Sequence, residues 1–170
     1  MDLKEKVRVV ENFPSEGISF KDITTLLKDA DGLKNCIDQL VDRFKNEKVD
    51  LVIGPESRGF IFATPIAYLI GAGFVPVRKP GKLPAETIKS EYALEYGSDS
   101  LEIHKDSIQK GQKVLIIDDL LATGGTMETA CKLVEQLGGE VVGLGFLIEL
   151  DELKGRNKLS KYKVESIIKY

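Results

Sequence analysis

The chain has 170 residues, 42% of them hydrophobic, which is enough to build one core, and it reads as a single domain over residues 1–170. Its 24 basic and 27 acidic side chains leave a net charge of -3, with no lysine or arginine block, so neither nucleic acid nor an anionic membrane is expected as a partner. Met1 to Val10 is charged from its second residue and has no apolar stretch, so no secretory signal is read there and a cytoplasmic location is expected.

In chain order, residues 13–25 (FPSEGISFKDITT) read as an extended segment lying over another part of the fold. Leu33, Cys36, Ile37, Leu40, Val41 and Phe44 then recur at the spacing of one helical face. A short buried strand, Leu51 to Ile53, follows, then a turn from Gly54 to Ser57 and a second helix beginning near Gly59. Gly59 to Val77 carries no charge and approaches the length of a membrane span. Pro65, Gly71, Gly73 and Pro76 instead divide it into a buried helix, a turn and a strand at Phe74 to Val77.

Residues 79–103 are long and polar, with alternation at Thr87 to Tyr92 and Ser100 to Ile103, which predicts a hairpin-like flap. His104 belongs to that alternation and is read as a surface residue, although it is the only histidine. Val114 to Ile117 is a strand buried on both faces. A third helix carries Met127, Ala130, Cys131, Val134 and Leu137 on one side and stops at Gly138-Gly139, and Val141 to Ile148 is a further buried strand. Strand and helix in this rhythm give an α/β fold, a mostly parallel sheet flanked by helices on both faces, whose active site belongs at the carboxyl ends of the strands. Cys36 and Cys131 show no metal-ligand spacing and are read as small buried hydrophobes.

Residues 114–126, VLIIDDLLATGGT, carry the chemistry. Four apolar residues lay a strand, Asp118 and Asp119 appear where it leaves the sheet, and a small-residue loop opens into a helix. Ala122, Gly124 and Gly125 lack the bulk that would keep backbone N–H groups from closing round a phosphate, and the helix N-terminus adds positive potential. Thr123 and Thr126 offer hydroxyl donors, while ionised Asp118 and Asp119 accept hydrogen bonds and so suit the hydroxyls of a ribose. A tight glycine turn capped by aspartates is the plainer account of each piece taken separately. Neither of two common phosphate loops, G-x-x-x-x-G-K-[ST] and G-x-G-x-x-G, is present.

This segment resembles the signature with which type I phosphoribosyltransferases bind phosphoribosyl pyrophosphate (PRPP). Phe13 to Thr24, Glu56 to Phe60, Arg78 to Pro84, Leu94 to Gly97 and Leu101 to Asp106 look, in the same order, like adenine phosphoribosyltransferases. The resemblance implies transfer of a phosphoribosyl group from PRPP to adenine, giving AMP and pyrophosphate, in a homodimeric enzyme with an N-terminal hood over about 13–25 and a long flexible flap over about 79–103. It implies that Phe20 stacks on the purine while the main chain at Ser19 and Lys21 reads its edge. Arg58, Lys79 and Lys82 would meet the pyrophosphate, and Mg2+ would be held mainly through PRPP, with no direct protein ligand. Glu95 becomes the catalytic candidate, near N7 of the base, with Tyr96 beside it on the flap, and the Glu56–Ser57 bond is expected to be cis. Other purines (hypoxanthine, guanine, xanthine) and a non-catalytic PRPP-sensing regulator are the rival readings. The regulator would dispense with Leu94 to Gly97, and another purine enzyme would lack the Phe13 to Thr24 pattern.

Overall fold

The computed structural model describes residues 1–94 and 97–170. The chain divides into two compact units, Met1–Gln39 and Leu40–Tyr170.

In the first unit β1 (Arg8–Glu11) pairs antiparallel with β2 (Ser19–Asp22), with Val10 opposite Phe20. The Phe13 ring stands edge-on to Phe20 with centroids 5.2 Å apart, and the Phe13–Pro14 bond is cis. Leu3, Ile23 and Leu26 are buried. The short helix α1 (Thr24–Leu27) follows, so the extended segment read from the sequence is a strand and one helical turn. The long helix α2 (Ala30–Arg43) runs from this unit into the next.

The second unit runs in chain order through β3 (Leu51–Pro55), α3 (Arg58–Ile70), β4 (Gly73–Val77), β5 (Thr87–Ala93), β6 (Ser98–His104), β7 (Lys113–Leu121), α4 (Gly125–Gln136), β8 (Glu140–Glu149) and β9 (Val164–Lys169), and is built on a parallel five-stranded sheet. The strand order is β4-β3-β7-β8-β9, every pair parallel. β5 and β6 form a separate antiparallel hairpin, Thr87 opposite His104, where the alternation in residues 79–103 predicts one. Along β5 the more buried residues are Ser90 and Tyr92, with Lys89, Glu91 and Ala93 outward, the period of two that the sequence carries.

The sheet is covered on both faces because alternate residues of its strands are apolar in both directions. Ile53, Val114, Ile116, Leu144 and Phe146 pack with Met127, Ala130, Cys131 and Val134 of α4 and with Leu101 and Ile103 of β6. On the opposite face glycines replace side chains where helices come close. A Cβ on Gly54 would lie 2.8 Å from that of Ala63, and Cβ atoms on Gly143 and Gly145 would lie 2.5 and 2.9 Å from the Phe44 ring. Fully burying an aromatic or aliphatic side chain of this kind contributes roughly 1.5–3 kcal/mol. Both cysteines are buried, and burial pushes their thiols up to about 11 for Cys36 and about 12 for Cys131, so they are inert fillers. No described helix is long and apolar enough to cross a membrane.

Candidate active site

The sheet opens where β3 and β7 part. β3 pairs with β7 only from Leu51 opposite Val114 to Ile53 opposite Ile116, whereas β7 stays paired with β8 as far as Leu121 opposite Glu149. The chain leaves β3 toward β4 on one side and β7 toward β8 on the other, so the crevice between them is the switch point at which open parallel sheets bind ligands. Asp118 and Asp119 stand on this free edge. They lie within β7 and not, as the sequence reading has it, where the strand leaves the sheet: the apolar run breaks at Asp118, but the backbone ladder with β8 does not.

The start of α3 closes over the acidic pair. A Cβ on Gly59 would lie 2.7 Å from Pro55 Cδ and 3.1 Å from Asp118 Oδ1, so only glycine lets the helix come this near. Arg58 Nε lies 2.8 Å from Asp119 Oδ2, and the Asp119 backbone N–H donates to Asp118 Oδ1 at 2.8 Å. Burial, reinforced by the neighbouring Asp119 carboxylate, holds the Asp118 carboxyl well above the usual carboxylate range, while the Arg58 guanidinium opposes the rise. A like-charge pair, Asp119 buried and Asp118 half-buried, beside a cation is a candidate for function on physical grounds. The Glu56–Ser57 bond just before Arg58 is cis, as the resemblance implies.

The facing wall comes from the end of β4 and from the hairpin. The Lys79 ammonium is ion-paired with Asp99 and lies 3.3 Å from the Tyr92 hydroxyl, and its backbone N–H donates to Glu56 Oε1 at 2.7 Å. The contact with Asp99 holds Lys79 above the ordinary lysine range and Asp99 below the ordinary carboxylate range, so both are charged at neutral pH. Arg58, Lys79, Asp118, Asp119 and Thr126 line one cavity of about 350 Å3, together with Glu56, Ser57 and Tyr92. A smaller cavity of about 80 Å3 adjoins it through Asp118 and Thr126 and is bounded by Ala122, Thr123 and Gly124.

Those last residues form the loop between β7 and α4. Gly124 is the N-cap of α4 with φ 88°, and no side chain caps the first turn. Gly125 and Thr126 begin the helix itself.

The structure thus brings eight of the expected residues round two joined cavities: Arg58, Lys79, Asp118, Asp119, Ala122, Thr123, Gly124 and Thr126, the last lining both, while Gly125 lines neither. Lys82 is exposed and lines neither cavity. Ser19, Phe20 and Lys21 belong to β2 of the first unit. Glu95 and Tyr96 lie outside the described residues. Sequence reasoning missed Glu56 as the acceptor of the Lys79 backbone N–H, and Tyr92 and Asp99 as partners of its ammonium; the alternation at Thr87 to Tyr92 and Ser100 to Ile103 stops short of Asp99 and does not say what Tyr92 faces. Among the described residues no group of three or more His, Cys, Asp or Glu side chains is placed to hold a metal ion.

A parallel sheet whose switch point holds an acidic pair, a small-residue loop at a helix start and facing cations defines a phosphoribosyltransferase site, and residues 19–169 match the family model of the phosphoribosyl transferase domain. A protein of Clostridium botulinum (strain Eklund 17B / Type B) named adenine phosphoribosyltransferase is 67% identical over 170 residues, covering all of this chain and 99% of its own. The crystal structure of an adenine phosphoribosyltransferase from Thermoanaerobacter pseudethanolicus superimposes with a TM-score of 0.96 at 55% identity, over 99% of this chain and 98% of that one. The Saccharomyces cerevisiae enzyme, complexed with adenine and an imino-altritol bisphosphate, gives a TM-score of 0.89 at 45% identity over 95% and 94% of the two chains. The chain belongs to the adenine phosphoribosyltransferase family.

Proposed function

We propose that the protein transfers the 5-phosphoribosyl group of PRPP to N9 of adenine, giving AMP and pyrophosphate, and that residues 1–170 work as one phosphoribosyltransferase domain. The observation that carries this reading is the grouping, round joined cavities, of a carboxylate pair, a loop of small residues and two cations. The 5-phosphate is assigned to the loop from Ala122 to Thr126, where backbone N–H groups and threonine hydroxyls meet it at a helix start. The ribose hydroxyls are assigned to Asp118 and Asp119. The pyrophosphate is assigned to Arg58 and Lys79, with Lys82 joining them from the exposed loop.

As the C1–oxygen bond lengthens, positive charge grows on the sugar and negative charge on the leaving group. The two aspartates face the first, and the guanidinium and ammonium face the second, so the same side chains that bind the ground state oppose the charges of the transition state. Lys79 must exchange Asp99 for pyrophosphate oxygens to do this. Mg2+ would be held mainly through the oxygens of PRPP, with no direct protein ligand, and when bound the ion would screen the pyrophosphate charge.

The base is assigned to Ser19, Phe20 and Lys21 on the family resemblance, supported by a family match that begins at residue 19. Backbone groups that accept from N6 and donate to N1 of adenine would meet the opposite order in hypoxanthine and guanine, leaving buried polar groups unpaired. Glu95 is assigned to the proton shared with adenine N7 and Tyr96 to the closing flap. The enzyme is proposed to act as a homodimer in the cytoplasm.

The test is formation of AMP from adenine, PRPP and Mg2+ beside parallel assays with hypoxanthine, guanine and xanthine. Adenine should be preferred by more than about 10³-fold in kcat/KM. Comparable turnover of another purine would move the assignment to that base, and PRPP binding with no turnover of any base would leave a PRPP sensor. For Glu95→Ala, kcat should fall by about 10²-fold, the usual reach of one general acid or base. Near-normal turnover would remove Glu95 from the mechanism.

A further inference from the structure

The loop that follows β7 is backed by a turn from much later in the chain. A Cβ on Gly124 would lie 2.6 Å from Gly155 O, and one on Gly155 would lie 2.5 Å from Ala122 O, so the two backbones touch with no room for a side chain between them. Arg156, the next residue, pins that turn. Its Nε and Nη2 donate to both carboxylate oxygens of Glu149 at 2.8–3.0 Å, and its Nη1 donates to Val164 O at 2.8 Å. Glu149 is 2% exposed and also accepts from Ser166 Oγ at 2.6 Å. Burial pushes its carboxyl up, but the hydrogen bonds from Arg156 and Ser166 outweigh that and hold it below the ordinary glutamate range. Glu149 pairs across the sheet with Leu121, the last residue of β7, so the anchor sits level with the start of the loop.

Two residues beyond Arg156, Lys158 is carried to the loop. Its Nζ lies 3.8 Å from the position a Cβ on Gly125 would occupy. Among the described residues no carboxylate pairs with it, whereas Lys161, Lys163 and Lys169 nearby in the chain each face a glutamate. The smaller cavity bounded by the loop has no cation among its lining residues, and Arg58 and Lys79 both belong to the larger one. A doubly charged phosphate in the smaller cavity would meet backbone dipoles and hydroxyls but no whole positive charge from the loop itself.

We propose that Lys158 is a further phosphate-binding residue of this site, supplying its cation to the ester phosphate at the loop and not to the pyrophosphate end. This rests on the reading of the loop as a phosphate cradle. Lys158 is exposed, so the attraction is screened and modest, and it weakens with salt.

The test is the affinity of the intact enzyme for AMP and for pyrophosphate, by calorimetry and product inhibition, in wild type, Lys158→Gln and Lys158→Arg. Lys158→Gln should weaken AMP about fivefold at low ionic strength, the upper reach of an exposed charge pair. Pyrophosphate should stay within about twofold, and Lys158→Arg should restore AMP binding. Equal AMP affinity in wild type and Lys158→Gln, or a parallel loss of pyrophosphate, would overturn the proposal. A wild-type protein with no affinity for AMP would instead defeat the phosphoribosyltransferase reading, and this inference with it.

Discussion

Asp118→Asn is expected to lower kcat/KM for PRPP by about 10³-fold while raising the melting temperature at neutral pH. The loss of activity follows from exchanging an acceptor-only carboxylate for an amide that presents N–H groups to hydroxyl donors. Hydrogen bonds to charged groups contribute about 1.5–3 kcal/mol each, and two of them account for a factor of that size. The gain in stability has a separate origin. Asp118 is held well above the ordinary range, first by burial and then by Asp119, so the folded state binds this proton more tightly than the unfolded chain, whose carboxyl titrates near 3.8. Stability is therefore fullest below that value and is lost as pH rises through the higher folded pKa. Above the unfolded value this carboxyl therefore works against the fold, and an amide removes that cost. Each kcal/mol recovered would appear as about 2–4 °C in a chain of this size. The stabilisation should shrink as the pH is lowered, and the KM for PRPP of the wild type should rise over the same descent. Melting curves at several pH values, run beside steady-state kinetics, measure both; a lower melting temperature for the variant at neutral pH would defeat the electrostatic account.

The opposition between stability and binding at Asp118 also marks how far the sequence could be read. Binary pattern finds β7 as far as Ile117 because four apolar residues stand together, and it finds the acidic pair because two carboxylates interrupt them. It ends the strand there, since nothing in the run says that the β8 ladder continues to Leu121 while β3 drops away after Ile116. The exposed strand edge that presents the aspartates is a property of two neighbours of unequal length, and the pattern of one strand does not contain it. β1 and β9 leave no pattern of their own in the sequence, being short strands whose partners, Ser19–Asp22 and Leu144–Glu149, make them recognisable only once paired. The resemblance marks Lys79, but its hold by Asp99 and Tyr92 depends on the folded hairpin. The glycines of the loop were legible as small residues. The reason Gly124 must be small, the carbonyl of Gly155, comes from a turn outside the motif.

That carbonyl makes Gly124→Ala a damaging substitution, because clash and backbone strain coincide there. Gly124 has φ 88°, a left-handed conformation that costs an ordinary residue about 1–2 kcal/mol. The added Cβ would also lie 2.6 Å from Gly155 O and 3.3 Å from its C and Cα, distances that backbone atoms must relieve by moving. Gly155 has little room to yield: its own Cβ position is 2.5 Å from Ala122 O and 2.8 Å from Leu121 Cδ1, and Arg156 beside it is tied to Glu149. The loop must therefore give way, and its N–H groups leave the arrangement assigned to the phosphate. A misplacement near 1 Å is enough for about 10²-fold, and with the loss of helix-start geometry kcat/KM for PRPP should fall by about 10³-fold or more. Strain and clash together should destabilise the fold by about 2–4 kcal/mol. Gly125→Ala is the control, because its Cβ would meet only Lys158 Nζ at 3.8 Å and Tyr92 Cδ2 at 3.9 Å, ordinary contacts, and its φ is not positive. It should melt within a few degrees of wild type. If the two variants melted alike, the close approach of Gly155 would not be what fixes the loop.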